Sequence, residues 1–191
     1  MTQSQWSSRG GRRLRAAIAV TGIAAACLGV LPAASASAAP RIVVPGSLWI
    51  ENGAFTNFVL CADATDQSVL LESTQAAANN LYCQWMQIGP DSQFGLWNLG
   101  KNQVMAYTGG NQGAVVMEQS GSSGLGSNAE QWSWGGQEDW GAYALQSFYD
   151  SGQNVDAMSP GGDYPRTDAV HTRGWRHGYQ RELTWNKVAA Q

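Results

Sequence analysis

The sequence predicts an all-β domain built from three four-stranded repeats that close on one another. Three observations point there. Short apolar or alternating runs are separated by Gly-, Asn- and Asp-rich breaks, as in sandwiches and barrels. No amphipathic helical stripe runs for a dozen residues after position 39. One pattern also recurs three times in phase, each copy closing on a tryptophan (Trp85, Trp132 and Trp185), at spacings of 47 and 53 residues.

Each repeat, about 46–91, 92–139 and 140–188, opens with one strand: Leu48-Trp49-Ile50, Gly95-Leu96-Trp97 or Tyr143-Ala144-Leu145. The second strands are Leu60-Cys61-Ala62-Asp63-Ala64, Gln103-Val104-Met105-Ala106 and Asn154-Val155-Asp156-Ala157. The third are Ser68–Glu72, Ala114–Glu118 and Ala169-Val170-His171, and the fourth carry the closing tryptophans. Asn52-Gly53, Thr108-Gly109-Gly110 and Asp150-Ser151-Gly152 are expected to supply the positive φ of tight hairpins. One copy alone cannot bury its apolar face, and closing three removes exposed strand edges. Trp85, Trp132 and Trp185 are therefore core anchors, each burying roughly 150–250 Å².

Residues 1–38 read as a secretory signal peptide. Arg9, Arg12, Arg13 and Arg15 precede an apolar run of 16 residues, Ala16–Leu31, which Pro32 ends, and Ala36-Ser37-Ala38 forms the cleavage motif. A membrane span needs roughly 20 apolar residues, so no span is expected after cleavage. Residues 39–191 are then one domain, expected to be extracellular. Without the four leader arginines, seven basic residues face 14 acidic ones, a net charge of −7. A nucleic-acid surface is not expected from that balance.

Cys61 and Cys83 are the two cysteines left after the leader, in an oxidising compartment. They are either a disulfide, closing a loop stabilised by about 3 kcal/mol, or two separately buried thiols. Neither has a second Cys or a His at ligand spacing, so no metal and no other cofactor is expected.

The pattern resembles the ricin B-chain-type β-trefoil, whose repeats run G-K-C-L-D-V, then V-Q-x-W, then Q-x-W. Lys101–Ala106, Gly152–Ala157 and Cys61-Ala62-Asp63-Ala64 carry the first motif, and the likeness extends from about Gly46 to Val188. The resemblance implies six strands in a short barrel, six in a hairpin cap, and up to three shallow sugar sites. Such a site needs a carboxylate for vicinal hydroxyls, an aromatic ring under the C–H face and an orienting amide. By the motif, the carboxylate is Asp63 in the first copy and Asp156 in the third, while Met105 takes its place in the second. His171 stands 15 residues after Asp156, near the family's ring position, and Thr172 or Arg173 takes that place at an offset of one or two. Tyr164 and Trp175 flank the same strand and offer rings. Glu72 and Glu118 stand where the first two copies would carry one. Cys83, Glu130 and Leu183 replace the Gln of Q-x-W, with Gln84 and Gln131 one residue later.

The expected function is noncatalytic glycan or polysaccharide binding, with the shallow site in the third repeat: Asp156, His171, Trp175 and Tyr164, with Asp63 as a first-repeat acceptor. The alternative is a trefoil scaffold that has lost its sugar sites and contacts a protein, as a protease inhibitor or secreted interaction protein, through the long segment Ser159–Gln180. Catalysis finds no support. The only histidines, His171 and His177, form no H-E-x-x-H motif, and no G-x-S-x-G elbow is present.

Overall fold

The computed structural model describes residues 42–120, 126–136, 142–158, 165, 167–176 and 180–191. The first repeat contributes β1 (Leu48–Asn52), β2 (Phe58–Ala62), β3 (Val69–Ser73) and β4 (Trp85–Ile88). The second contributes β5 (Gly95–Asn98), β6 (Gln103–Tyr107), β7 (Val115–Glu118) and β8 (Trp132–Gly135). The third contributes β9 (Ala144–Ser147), β10 (Gln153–Asp156), β11 (His171–Gly174) and β12 (Trp185–Ala189).

A barrel and a cap follow from the pairing. β4 pairs with β5, β8 with β9 and β12 with β1, and single bridges join β1 to β4 at Leu48–Trp85, β5 to β8 at Phe94–Trp132, and β9 to β12 at Ala144–Thr184. Six strands therefore close a ring with no free edge. The hairpins β2–β3, β6–β7 and β10–β11 cover one end. Their backbones join near the pseudo-threefold axis, where Val115 N–H donates to Val170 O (3.0 Å) and Val170 N–H to Val69 O (2.6 Å).

The tryptophans explain why three unequal copies adopt one geometry. Trp85, Trp132 and Trp185 are fully or almost fully buried. Each indole N–H donates to a carbonyl on the second strand of its own repeat: Leu60 (2.7 Å), Met105 (2.9 Å) and Val155 (3.0 Å). The ring fills the core while its one polar atom stays satisfied. A single turn of 3₁₀ helix precedes each ring: Leu81–Cys83, Asn128–Glu130 and Arg181–Leu183. That turn occupies the place of the family's Gln, which is why Cys83, Glu130 and Leu183 are buried there.

Turn chemistry departs from expectation at two of three places. Gly109 (φ +93°) and Gly110 (φ +76°) use the left-handed region, but Gly53 and Gly152 do not. At the first turn, Asn52 Oδ1 accepts from Ala54 N–H (2.9 Å) and Phe55 N–H (3.0 Å), so a side chain shapes the bend. At the third, Gln153 N–H donates to Asp150 O (2.8 Å), an ordinary β-turn.

Candidate functional site

Strand register fixes which residues correspond between repeats. Val59 pairs with Glu72, Val104 with Glu118, and Asn154 with Arg173. The indole bonds to Leu60, Met105 and Val155 give the same phase. Cys61, Ala106 and Asp156 therefore share one position, and Asp63, Thr108 and Met158 share another two residues on. This corrects the motif alignment, in which Asp63, Met105 and Asp156 correspond. A shift of two keeps a side chain on the same face, so the short D-A match hid the difference. Arg173, not His171, takes the place of Glu72 and Glu118.

In the first repeat, Asp63 follows β2 and rims a shallow cavity of about 170 Å³ whose lining includes Cys61, Thr65, Glu72, Asn80 and Tyr82. Asp63 Oδ1 accepts from the Thr65 N–H (2.6 Å), the Thr65 hydroxyl (2.6 Å) and the Asp66 N–H (3.1 Å). Its Oδ2 takes no hydrogen bond among the described residues. The Thr65 hydroxyl and amide, followed by the Asp66 amide, lower the Asp63 pKa below the ordinary carboxylate value, and Lys101 adds a smaller pull.

The opposite wall is the segment before Trp85. Asn80 Oδ1 accepts from Tyr82 N–H (3.0 Å) and caps the 3₁₀ turn. Tyr82 O accepts from Asn98 Nδ2 (2.7 Å). The ring lies against Gly100, where an added β-carbon would stand 2.7 Å from it. The Cys61–Cys83 disulfide joins the two walls: one cysteine is two residues before Asp63, the other directly follows Tyr82. Carboxylate, ring and amide thus meet in one place, as a sugar site requires. Tyr82 and Asn80 escaped the sequence reading because both lie outside the strand motifs. Once the disulfide is assigned, it is the signal that brings Tyr82 beside Asp63.

The third repeat differs. Asp156 is 7% exposed. Its Oδ2 accepts from Arg173 Nε (2.8 Å) and its Oδ1 from Met158 N–H (3.0 Å), while Arg173 Nη2 donates to Glu182 Oε1 (2.6 Å). Burial works against the Arg173 charge, but Asp156 and then Glu182 more than offset it, so its pKa lies above the ordinary value. The ion pair ties β10 and β11 to their 3₁₀ turn, as the disulfide ties β2 to its own. His171 pairs with Asp156 across the strands, and its Nδ1 lies 2.8 Å from Ala169 O. Trp175 is 45% exposed just beyond β11. Tyr164 and His177 lie outside the described residues, as do residues 159–163, 166, 178 and 179 of the segment Ser159–Gln180. Among the described residues no cluster of His, Cys, Asp or Glu could hold a metal ion, and no helix is long and apolar enough to cross a membrane.

Neither a protein-family model nor a curated protein matches the chain. Solved structures do. The designed three-fold symmetric protein ThreeFoil is 15% identical with a TM-score of 0.59, covering 75% of this chain and 98% of its own. A mosquitocidal holotoxin is 10% identical with a TM-score of 0.61, and the match spans 76% of this chain but 16% of the toxin. The Polyporus squamosus lectin bound to Neu5Aca2-6Galb1-4GlcNAc is 16% identical with a TM-score of 0.53, covering 74% of this chain and 48% of the lectin. The similarities include an endo-β-galactosidase from Clostridium perfringens, matched over 34% of its length. The chain therefore has the β-trefoil fold, with matches among solved structures to a designed protein, a toxin, a lectin and a glycosidase.

Proposed function

We propose that this is a secreted, noncatalytic carbohydrate-binding protein whose sugar site is the first-repeat cavity between Asp63 and Tyr82. The observation that carries the reading is one cavity lining that holds a ring, an amide and Asp63, whose Oδ2 takes no hydrogen bond among the described residues. Vicinal hydroxyls of a pyranose donate to that oxygen, the apolar C–H face rests on Tyr82, and Asn80 orients the sugar edge. The lectin among the similar structures supports the same class of ligand. The third-repeat carboxylate is the weaker acceptor, because Arg173 and Met158 already occupy both of its oxygens. Export rests on the leader sequence. A glycan array with wild type, Asp63→Asn and Tyr82→Ala tests the reading. Saturable binding that each substitution weakens supports it; wild-type binding to no glycan, or binding indifferent to both, overturns it.

A further inference from the structure

We infer that the first-repeat cavity selects sugars by charge: it takes an amino sugar, whose protonated amine sits between Glu72 and Asp63, and turns away acidic ones. This rests on the sugar-site reading above and names the ligand class of that same site. Two carboxylates, Asp63 and Glu72, belong to the lining together with Asn80 and Tyr82, and among the described residues no basic side chain does. Both stand on one face of the β2–β3 hairpin. Cys61 pairs with Leu70 and Val59 with Glu72, so these four share a face, and Asp63 follows two residues after Cys61. Lys101 Nζ donates to the backbone at Ala64 O (3.4 Å) and lies outside the lining.

The third repeat shows what such a place holds. Its equivalents of Cys61, Glu72 and Tyr82 are Asp156, Arg173 and Glu182, by strand register and by counting back from the anchoring tryptophans. There the Arg173 guanidinium lies between two carboxylates, 2.8 Å from Asp156 Oδ2 and 2.6 Å from Glu182 Oε1. In the first repeat Glu72 stands where Arg173 does, so no guanidinium fills the equivalent place and carboxylates line it instead. The second repeat carries Ala106, Glu118 and Ala129 at these positions, and Thr108 where Asp63 stands. It offers one carboxylate, so the pair belongs to repeat one.

Size and charge decide the ligand. A sphere of about 170 Å³ is about 7 Å across, shorter than the screening length of about 8 Å at physiological salt, so a charge inside interacts with both carboxylates. Asp63 is held ionised by the Thr65 hydroxyl and amide and by the Asp66 amide. Glu72 makes no side-chain hydrogen bond or ion pair among the described residues. An ammonium has three donors to share between the two carboxylates, and its charge also suits the face of the Tyr82 ring. A neutral hydroxyl gains neither effect. A uronic or sialic acid brings a third carboxylate into the same space and is repelled.

Titration of the ¹⁵N-labelled protein at about pH 6, where an amino-sugar amine is protonated, tests this, with the Asp63 amide as reporter. The probes are glucosamine trimer, its N-acetylated form, galacturonic acid trimer and N-acetylargininamide. The glucosamine trimer should bind about five- to tenfold more tightly than its N-acetylated form, and the galacturonic acid trimer should not bind. That ratio should fall to about one in Glu72→Gln, persist in Glu72→Asp, and shrink as salt rises from about 0.02 to about 0.5 M. Equal or tighter binding of the N-acetylated trimer, binding of the galacturonic acid trimer, or a ratio indifferent to Glu72→Gln overturns the charge selection and leaves the sugar site standing. So does a response at Asp63 to neutral glycans alone. Silence toward every sugar overturns both readings, and a response to N-acetylargininamide alone does so by assigning the cavity to a protein partner.

Discussion

Replacing both bridging cysteines, C61A/C83A, separates the stability of the fold from the geometry of the proposed sugar site. The bond spans 22 positions in sequence, and losing a loop of that length costs about 3 kcal/mol in the chain-entropy model. For a domain of this size each kcal/mol lowers Tm by about 2–4 °C, so the fall is about 6–12 °C. The fold should survive, because repeats two and three hold the same two positions with Ala106 and Glu130, and with Asp156 and Leu183. The site should not survive intact. Asp63 leaves β2 two residues after Cys61, and Asn80 and Tyr82 precede Cys83, so the bond sets the width of the cavity. If the binding-competent width falls to about one-tenth of the population, apparent affinity falls about tenfold. Scanning calorimetry reads the first effect, and isothermal titration with the best array glycan reads the second. A lower Tm with unchanged affinity would refute the positioning role, and an unchanged Tm would refute the stability estimate.

Other perturbations reach different parts of the structure. Arg173→Met leaves the Asp156 and Glu182 carboxylates buried without their shared cation, and should cost about 3 kcal/mol in urea unfolding. Gly110→Ala meets no neighbouring atom within 4 Å, so its cost should be purely conformational, about 1–2 kcal/mol for forcing alanine into the left-handed region. Trp132→Phe deprives the Met105 carbonyl of its donor and opens a void on the barrel axis; a loss of about 2–4 kcal/mol is expected by thermal melts. Sugar binding should hold as pH falls to about 4, then disappear as Asp63 protonates, because its folded pKa is depressed below the unfolded one. The same sign makes the Asp63 contribution to stability present above the unfolded pKa and lost below the folded one. Titrations across that range check both.

The repeat and the closure were legible because they rest on the largest apolar groups in the chain. Three tryptophans at similar spacing, each after a polar turn and before a short strand, leave few architectures that bury all of them. The register within each repeat was less legible. Asp63-Ala64 and Asp156-Ala157 match as letters, yet strand pairing places them two residues apart, and only the hydrogen-bond ladder carries that information. Tyr82 and Asn80 were hidden for a related reason: a 3₁₀ turn has no periodicity long enough to read. Gln84 shows the same limit. Its displaced side chain is fully buried, accepting from Val44 N–H (3.0 Å) and the Ser47 hydroxyl (2.9 Å) and donating to Ile42 O (2.6 Å). That glutamine pins the segment entering β1, a long-range role that no local motif announces.

A crystal structure of the protein soaked with its best array glycan confronts the sugar-site assignment with atoms. A pyranose should lie with two adjacent hydroxyls on Asp63 Oδ2 and its C–H face over the Tyr82 ring. An empty cavity at saturating glycan, with the sugar bound elsewhere on the barrel, would contradict it.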